Sequence, residues 1–466
     1  MERALHWFIL VLLFIINFSD SYAQKSLSLT EAVETGVKNY LSISAKNNYA
    51  EASRSSVEQA RRDYWPNANI AAQQDYGTIN GQNGPLYGFG GLNVASSGLP
   101  LDHQNWNAAF GALYLANVNW DFFAFGRARY KVKTAEAIAT RDRSDYEQEI
   151  FQHKIKVASA YLNLLAAHHL TTSWRKNLER TDTLKKIIVA KALNGLVPGV
   201  DSSQANAEVS NAIIELTRAI DFEQEQANRL SVLMGVPSQR FILDSLFLLK
   251  IPAALTDTIT QAPVEHPVLA WYKNRKLVSD EQSHYFNTFK YPVFSLVGVY
   301  QFRGSGFSSN YAQNQDLFTK DYWEGIKPVR TNYLIGVGLT WNITQPFRIS
   351  QQVKAQNFIS AGLNDEYNLA NQQIQAQLDL SATKIKNALS NYEQAPVQVK
   401  AAQDAYLQRA TLYRNGLSDL VSVTQAAYVL IRAETDRDIA YNNVWQALLL
   451  RAAAAGSFEL FAKEIQ

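Results

Sequence analysis

Two stretches of this chain repeat each other at a fixed distance. Trp120 matches Trp341, and Arg127 matches Arg348. Asn194-Gly195-Leu196 matches Asn415-Gly416-Leu417, Gln204-Ala205 matches Gln425-Ala426, and Gly235 matches Gly456. Each pair lies 221 positions apart (341 − 120, 416 − 195, 456 − 235). So constant an offset implies two copies of one supersecondary unit with few insertions between the markers. Upstream, the aromatic-Pro pairs Trp65-Pro66 and Tyr291-Pro292 are 226 apart, so the length difference falls between Pro66 and Trp120. The 466 residues would allow two or three ordinary domains on length alone. The repeat argues for one duplicated architecture instead.

Each copy reads as helix, strand, loop, strand, very long helix, tight turn, helix. The first copy spans 24–240, with strands near 67–76 and 108–120 and a long helix near 127–194. A linker covers 241–263. The second copy spans 264–457, with strands near 293–302 and 333–343 and a long helix near 347–415, and a tail covers 458–466. The opening helix starts on a capping box, Ser28 with Glu31. It is expected to run to Tyr64, where Trp65-Pro66 stops it.

The strand signal is a period of two, which sorts side chains onto opposite faces. Tyr333, Ile335, Val337, Leu339, Trp341 and Ile343 form one face of the last strand, opposite Gly336, Gly338, Thr340 and Asn342. Phe110, Ala112, Tyr114, Ala116, Val118 and Trp120 share a face in the second strand. Segments of about ten residues, apolar and uncharged on one side with aromatics near their ends, suit strands of a membrane barrel. A soluble half-buried sheet would also alternate, but it would leave the uncharged outward face unexplained. Four strands cannot close a barrel, since the smallest need about eight, so the chain must assemble with copies of itself. The loops at 77–107 and 303–332 are rich in Gly, Asn, Ser and aromatics and read as external loops or plain flexible connectors.

From Arg127 to Asn194 the chain has neither Gly nor Pro. A continuous helix of that length would extend on the order of 100 Å, and it must pack lengthwise against others as a coiled coil. On the returning helix, Val209, Ile213, Leu216, Ile220, Ala227, Leu230 and Met234 step at heptad spacing and read as the packing seam. The second long helix carries Gly362 and Pro396, and Pro396 is expected to kink or loosen it. Its amides between Asn364 and Asn391 suit either a water-filled lumen or a solvated outer face.

The N-terminus reads as a secretory signal peptide, 1–23. Arg3 opens it, Trp7 to Phe18 is apolar except for Asn17, and Ser21-Tyr22-Ala23 is the cleavage site. A retained anchor is the alternative, but the run is shorter than the ~20 residues a span needs. With no cysteine there is no disulfide, thiolate metal site or acylated lipoprotein Cys. A net charge of +2 gives no reason to expect nucleic acid. The adjacent His168-His169 lack the i, i+4 spacing of a helical zinc pair. With two Met there is no soft-metal cluster, and no nucleophile elbow or phosphate loop occurs. No enzyme, cofactor or metal site is expected.

Five passages resemble the TolC outer-membrane factor family, across nearly all of the chain after the signal peptide. They are Leu27-Ser28-Leu29-Thr30-Glu31-Ala32-Val33, Arg62-Asp63-Tyr64-Trp65-Pro66, Trp120 to Arg127, Asn194 to Val197 and Asn415 to Ser418. The resemblance implies a mainly α-helical chain with a transmembrane β part. Four strands per subunit would form a trimeric twelve-stranded barrel, continued by a periplasmic coiled-coil tunnel. The implied role is a passive, gated exit duct of a tripartite efflux or type I secretion system in the outer membrane of a Gram-negative cell. The implied partners are two further copies, a periplasmic adaptor, an inner-membrane pump of the RND or ABC type, and outer-membrane lipid. The resemblance assigns Gly195, Leu196, Val197, Gly416, Leu417 and Ser418 to a tip that docks the adaptor. It assigns Tyr413, Asp201 and Asp419 to a gate, while the alternation of the strands puts Trp120 and the set Tyr333, Ile335, Val337, Leu339, Trp341 and Ile343 on the membrane face. This chain departs from the family where a basic residue is expected at Ser418 and acidic ones at Ser422 and Gln425. An envelope-bridging coiled-coil protein without transport is the rival, and it leaves the apolar strand faces unexplained.

Overall fold

The computed structural model describes residues 26–81, 88–89, 92–93, 100–244, 250–252 and 266–465. The signal-peptide stretch, most of the 241–263 linker and the middle of the first external loop lie outside the described residues. The rest divides into two compact units. One comprises Met1–Glu51, Thr140–Arg275 and Leu363–Gln466; the other comprises Ala52–Ala139 and Lys276–Gly362.

The first unit is helical. Helix α1 (Leu29–Asn39) is N-capped by Ser28, whose hydroxyl accepts from the Glu31 N–H. The chain then breaks at Tyr40 and resumes as α2 (Leu41–Arg62), where one helix was expected. Tyr40 leaves helical geometry at ψ 115°, and its ring stacks on His153 at 3.9 Å. Helix α3 (Arg127–Leu193) is a single helix of 67 residues, and α4 (Gly199–Met234) returns from it. Its partners in the second half are α7 (Gln345–Arg414) and α8 (Leu420–Ala454). Helix α7 passes through Pro396 uninterrupted. Pro396 is exposed, so its ring and one lost hydrogen bond disturb no packed neighbour.

The buried seam of α7 repeats every seven residues. Ser381, Ala388, Ala395 and Ala402 alternate with Ile385, Tyr392, Val399, Tyr406 and Tyr413, and the small positions are all buried. Small side chains at one seam position let the partner helix approach closely. The α4 seam follows the same logic and corrects the sequence reading. It uses Ala205, Val209, Ala212, Ala219, Ala227, Leu230 and Met234, while Ile213 and Ile220 are 49% and 37% exposed. Val209, Ala227, Leu230 and Met234 stand where the spacing puts them, and at two positions the seam uses the preceding alanines, Ala212 and Ala219, in place of Ile213 and Ile220. At one end of this unit, Leu29, Tyr161, Leu230, Trp445 and Phe461 share a buried cluster. Tyr161 donates to the Leu27 carbonyl (2.7 Å) and accepts from the Asp244 N–H (3.1 Å), so its buried hydroxyl is satisfied.

The second unit holds the sheet. Strands β1 (Asn67–Thr78), β2 (Ala108–Phe123), β3 (Val293–Ser305) and β4 (Arg330–Thr340) lie antiparallel in that spatial order. Helix α5 (Pro267–Asn287) leads toward β3 through a 3-10 turn at Thr288–Lys290. The two strand-to-helix junctions are built alike. The Trp120 indole donates to the Tyr64 carbonyl (2.8 Å), and the Trp341 indole donates to the Lys290 carbonyl (3.1 Å). Tyr64 and Lys290 each sit two residues before the proline of the matched aromatic-Pro pairs. Thus Trp120 and Trp341 do the same job at the same place in each half. Strand β4 ends at Thr340, earlier than expected. Asn342 turns the chain there by accepting from the Thr344 N–H at 3.1 Å. Trp341 and Ile343 therefore fall outside the strand.

Candidate functional site

The register aligns one apolar face across all four strands. Ile70 pairs with Ala116, Ala116 with Tyr300, and Tyr300 with Tyr333. Ala68, Val118, Gly298 and Ile335 form the next row, and Trp120, Leu296 and Val337 pair beyond it. No charged side chain stands on this face within the paired strands. It is also bare: Ile70 is 91% exposed, Tyr333 78%, Ile335 77% and Val337 67%. The opposite face mixes Asn67, Asn69, Gln73, Asn117, Asn119 and Gln301 with glycines and aliphatics. Among the described residues, both outer strands are unpaired on one side, and β1 is exposed along all of its 12 residues. Long open edges of this kind invite pairing with another chain. Of the residues assigned to the membrane face, Tyr333, Ile335, Val337 and Leu339 lie in β4 and Trp120 in β2. Trp341 and Ile343 lie in the turn that follows.

The other assigned residues lie at two helical turns in the first unit. Gly195 and Gly416 adopt φ +71° and +74°. Each closes its helix with the same pair of bonds. The Leu196 N–H reaches the Lys191 carbonyl (2.9 Å) and the Gly195 N–H reaches Ala192 (3.0 Å). The Leu417 N–H reaches Leu412 (2.9 Å) and the Gly416 N–H reaches Tyr413 (3.1 Å). This is the Schellman stop, which needs a left-handed residue. Gly235 and Gly456, the second matched pair, end α4 and α8 at φ +64° and +72°. The turns leave Leu196 and Leu417 71% and 74% exposed, with Val200 and Val421 beside them at 68% and 61%. Val200 and Val421 are also 221 apart.

The structure brings the two turns together. Ile188, Ala205, Ala410, Tyr413, Leu420 and Val423 form one buried cluster. The Tyr413 hydroxyl donates to Asp201 Oδ2 at 3.2 Å. Burial, then the Asp201 charge, pushes the Tyr413 phenol up to about 12, so it stays a donor. Asp419 has a different task. It N-caps α8 by accepting from the Ser422 N–H (2.7 Å), and that bond is the main cause of its lowered pKa.

Sequence reasoning missed three further links. Lys191 Nζ donates to the Arg414 carbonyl (2.6 Å), placing a cation on the last turn of α7. Arg180 grips Glu434 with two bonds of 2.9 and 2.8 Å. Tyr428 donates to Glu208 at 2.7 Å, and its phenol is likewise pushed up to about 12, first by burial. Each link joins helices about 220 to 250 positions apart in sequence, so no local pattern marks it. A lysine in the last turn of α3 was the only hint.

With this geometry, the chain superposes on solved channels. VceC from Vibrio cholerae, an outer membrane protein, matches at TM-score 0.71 and 16% identity, over 92% of this chain and 96% of that one. The Campylobacter jejuni CmeC outer membrane channel matches at 0.72 and 14%, over 94% and 89%. The fold is that of an outer-membrane channel. The Neisseria gonorrhoeae MtrE outer membrane channel, solved in an open state, agrees at 0.70 and 14%, over 92% and 89%. No protein-family model and no curated protein matches the sequence. The resemblance to the TolC channels drawn from the motifs is thus met by the fold. At these identities the likeness is carried by architecture rather than by shared side chains.

Proposed function

We propose that this chain is the outer-membrane exit duct of a tripartite efflux or type I secretion system in a Gram-negative envelope. The observation that carries the reading is the bare, uncharged sheet face flanked by two open edges. Exposing that much contiguous apolar surface to water is unfavourable by roughly 25 cal/mol per Å², whereas hydrocarbon welcomes it. Closing the edges requires more strands than one chain has. Three copies would supply twelve, joining β4 of one copy to β1 of the next. The mixed polar face would then line a water-filled lumen.

In this reading the duct is passive and an inner-membrane pump drives transport. The hairpin turns form the periplasmic end. Leu196 and Leu417, with Val200 and Val421, are the apolar contacts offered to a periplasmic adaptor. Tyr413 with Asp201, backed by Lys191, holds the neighbouring hairpins together and resists opening. Asp419 is kept by its helix cap and contributes charge rather than a link. Single-channel recording in planar bilayers tests the duct directly. Discrete, long-lived conductance steps are expected; a purified, folded protein that gives none contradicts the proposal.

A further inference from the structure

We propose that the external segment Lys320–Arg330, with the short helix α6 (Tyr322–Ile326), is an anchor that seats Tyr322 and Trp323 in the headgroup layer of the membrane. The inference rests on the lipid-facing reading of the sheet given above. It adds where the bilayer stops and which residues stop it.

The segment does not stand free above the strands. It lies across the outer end of the apolar face. A Cβ on Gly325 would come 2.6 Å from the Phe110 Cβ, and one on Gly304 would come 2.7 Å from the Lys327 carbonyl. Both glycines are slots for close passage of backbone. Tyr322 stands edge-on to Phe110 at 5.1 Å and donates its hydroxyl to Gln74 Oε1 at 2.7 Å. Gln74, Phe110 and Gly304 all belong to the apolar face by alternation from Ile70, Ala116 and Gly298. The rest of the loop is ordered too. Phe307, Tyr311 and Phe318 pack ring on ring, and Tyr311 is 3% exposed.

A segment so firmly held nevertheless leaves Trp323 73% and Val329 54% exposed. Lys320 and Lys327 are exposed around them. Asp321 caps α6 through the Glu324 N–H at 2.9 Å. Hydrocarbon would reject that mixture of charges, and water gives no reason for the bare Trp. The layer between the two accepts both, which is why Trp and Tyr gather there.

The depth agrees. Trp120 marks the inner end of the face and Phe110, beneath α6, the outer end. They are ten residues apart on β2 (120 − 110). At about 3.4 Å per residue that is ~34 Å along the strand. Tilted by ~40°, it spans about 26 Å, against the ~25 Å apolar band of an outer-membrane barrel. Helix α6 therefore sits where the band ends.

The chain has no cysteine, so single labels can be placed cleanly. The exposed positions Trp323→Cys, Val329→Cys, Ile335→Cys and Ser309→Cys would each carry a fluorophore in proteoliposomes. Nitroxides on the lipid headgroup, nitroxides deep in the acyl chain, and aqueous iodide would serve as quenchers. Labels at 323 and 329 are expected to be quenched about twofold or more better by the headgroup nitroxide than by the deep one. The label at 335 should prefer the deep nitroxide, and that at 309 should respond to iodide alone. If 335 behaves so while 323 and 329 respond to iodide alone, or to no quencher, the anchor is wrong and the barrel stands. Deep quenching at 323 also overturns the anchor. If 335 meets no lipid quencher, the lipid-facing reading falls and the anchor falls with it.

Discussion

The sheet and the hairpin turns solve opposite problems. At the turns, the helix ends and the polar side chains between the hairpins find partners within the chain, and only a few apolar side chains such as Leu196 and Leu417 stay bare. The glycines close their helices, Asp419 caps its own, and Tyr413, Lys191 and Arg180 reach across to the other hairpin. The sheet is left unfinished, with both edges open and its apolar face bare. A region that is incomplete alone states what it needs, namely more strands and an apolar surround.

The largest effect is expected where the unfinished region meets its surround. Tyr333→Arg, in the row of Ala116 and Tyr300, puts a charge near the middle of the bare face. In a bilayer this should cost about 2–4 kcal/mol, read as a drop in stability on urea titration from liposomes. For a soluble sheet the same exposed position would change by under about 0.5 kcal/mol, which would erase the contrast.

The helical unit that carries the turns should break at its close contacts next. Gly235→Ala combines a left-handed backbone with a Cβ 2.9 Å from the Asn39 Cβ. A loss exceeding that of Gly195→Ala by at least about 1 kcal/mol is expected. Gly195 has the same handedness in open space, so its change should cost only about 1–2 kcal/mol. Equal losses would show that crowding at Asn39 contributes nothing.

Tyr413→Phe with Asp201→Ala removes the link between hairpins. A hydrogen bond to a charged group contributes about 1.5–3 kcal/mol. Conductance in planar bilayers should rise, while heat stability of the sheet stays put. Unchanged conductance would remove Tyr413 and Asp201 from the proposed gate.

The smallest effect is pH-dependent. The His168 pKa is raised, chiefly by its hydrogen bond to Glu223 at 2.9 Å. A raised histidine contributes stability that is full below its unfolded value near 6.5 and is lost as pH rises through the higher folded value. Half exposed, the pair should add under about 1 kcal/mol. His168→Gln should flatten that part of the stability–pH curve, and an unaltered curve would place the dependence elsewhere.

How much of this was legible follows from the range of the interactions. The matched glycines and tryptophans were readable because a left-handed stop and a junction indole are local needs repeated at one offset. The Tyr413–Asp201 pair was readable only through resemblance. The α4 seam was misread because hydropathy favours Ile213 and Ile220, whereas close helix packing favours alanine. The end of β4 was misread because Asn342 turns the chain inside an unbroken alternation. The loop over Phe110 was read as an external loop or plain connector, because the glycines that admit it, Gly304 and Gly325, look like ordinary loop residues until the backbone beside them is seen. Lys191, Arg180 and Tyr428 find partners more than two hundred residues away, which no single-sequence pattern encodes.

The central claim is that the sheet is one part of a shared barrel. The native mass of the purified protein in detergent, corrected for bound detergent, tests it most directly. Three copies of the chain in one detergent-bound particle are expected. A monomer that stays soluble without detergent would contradict it, and the duct, the lumen and the gate would go with it.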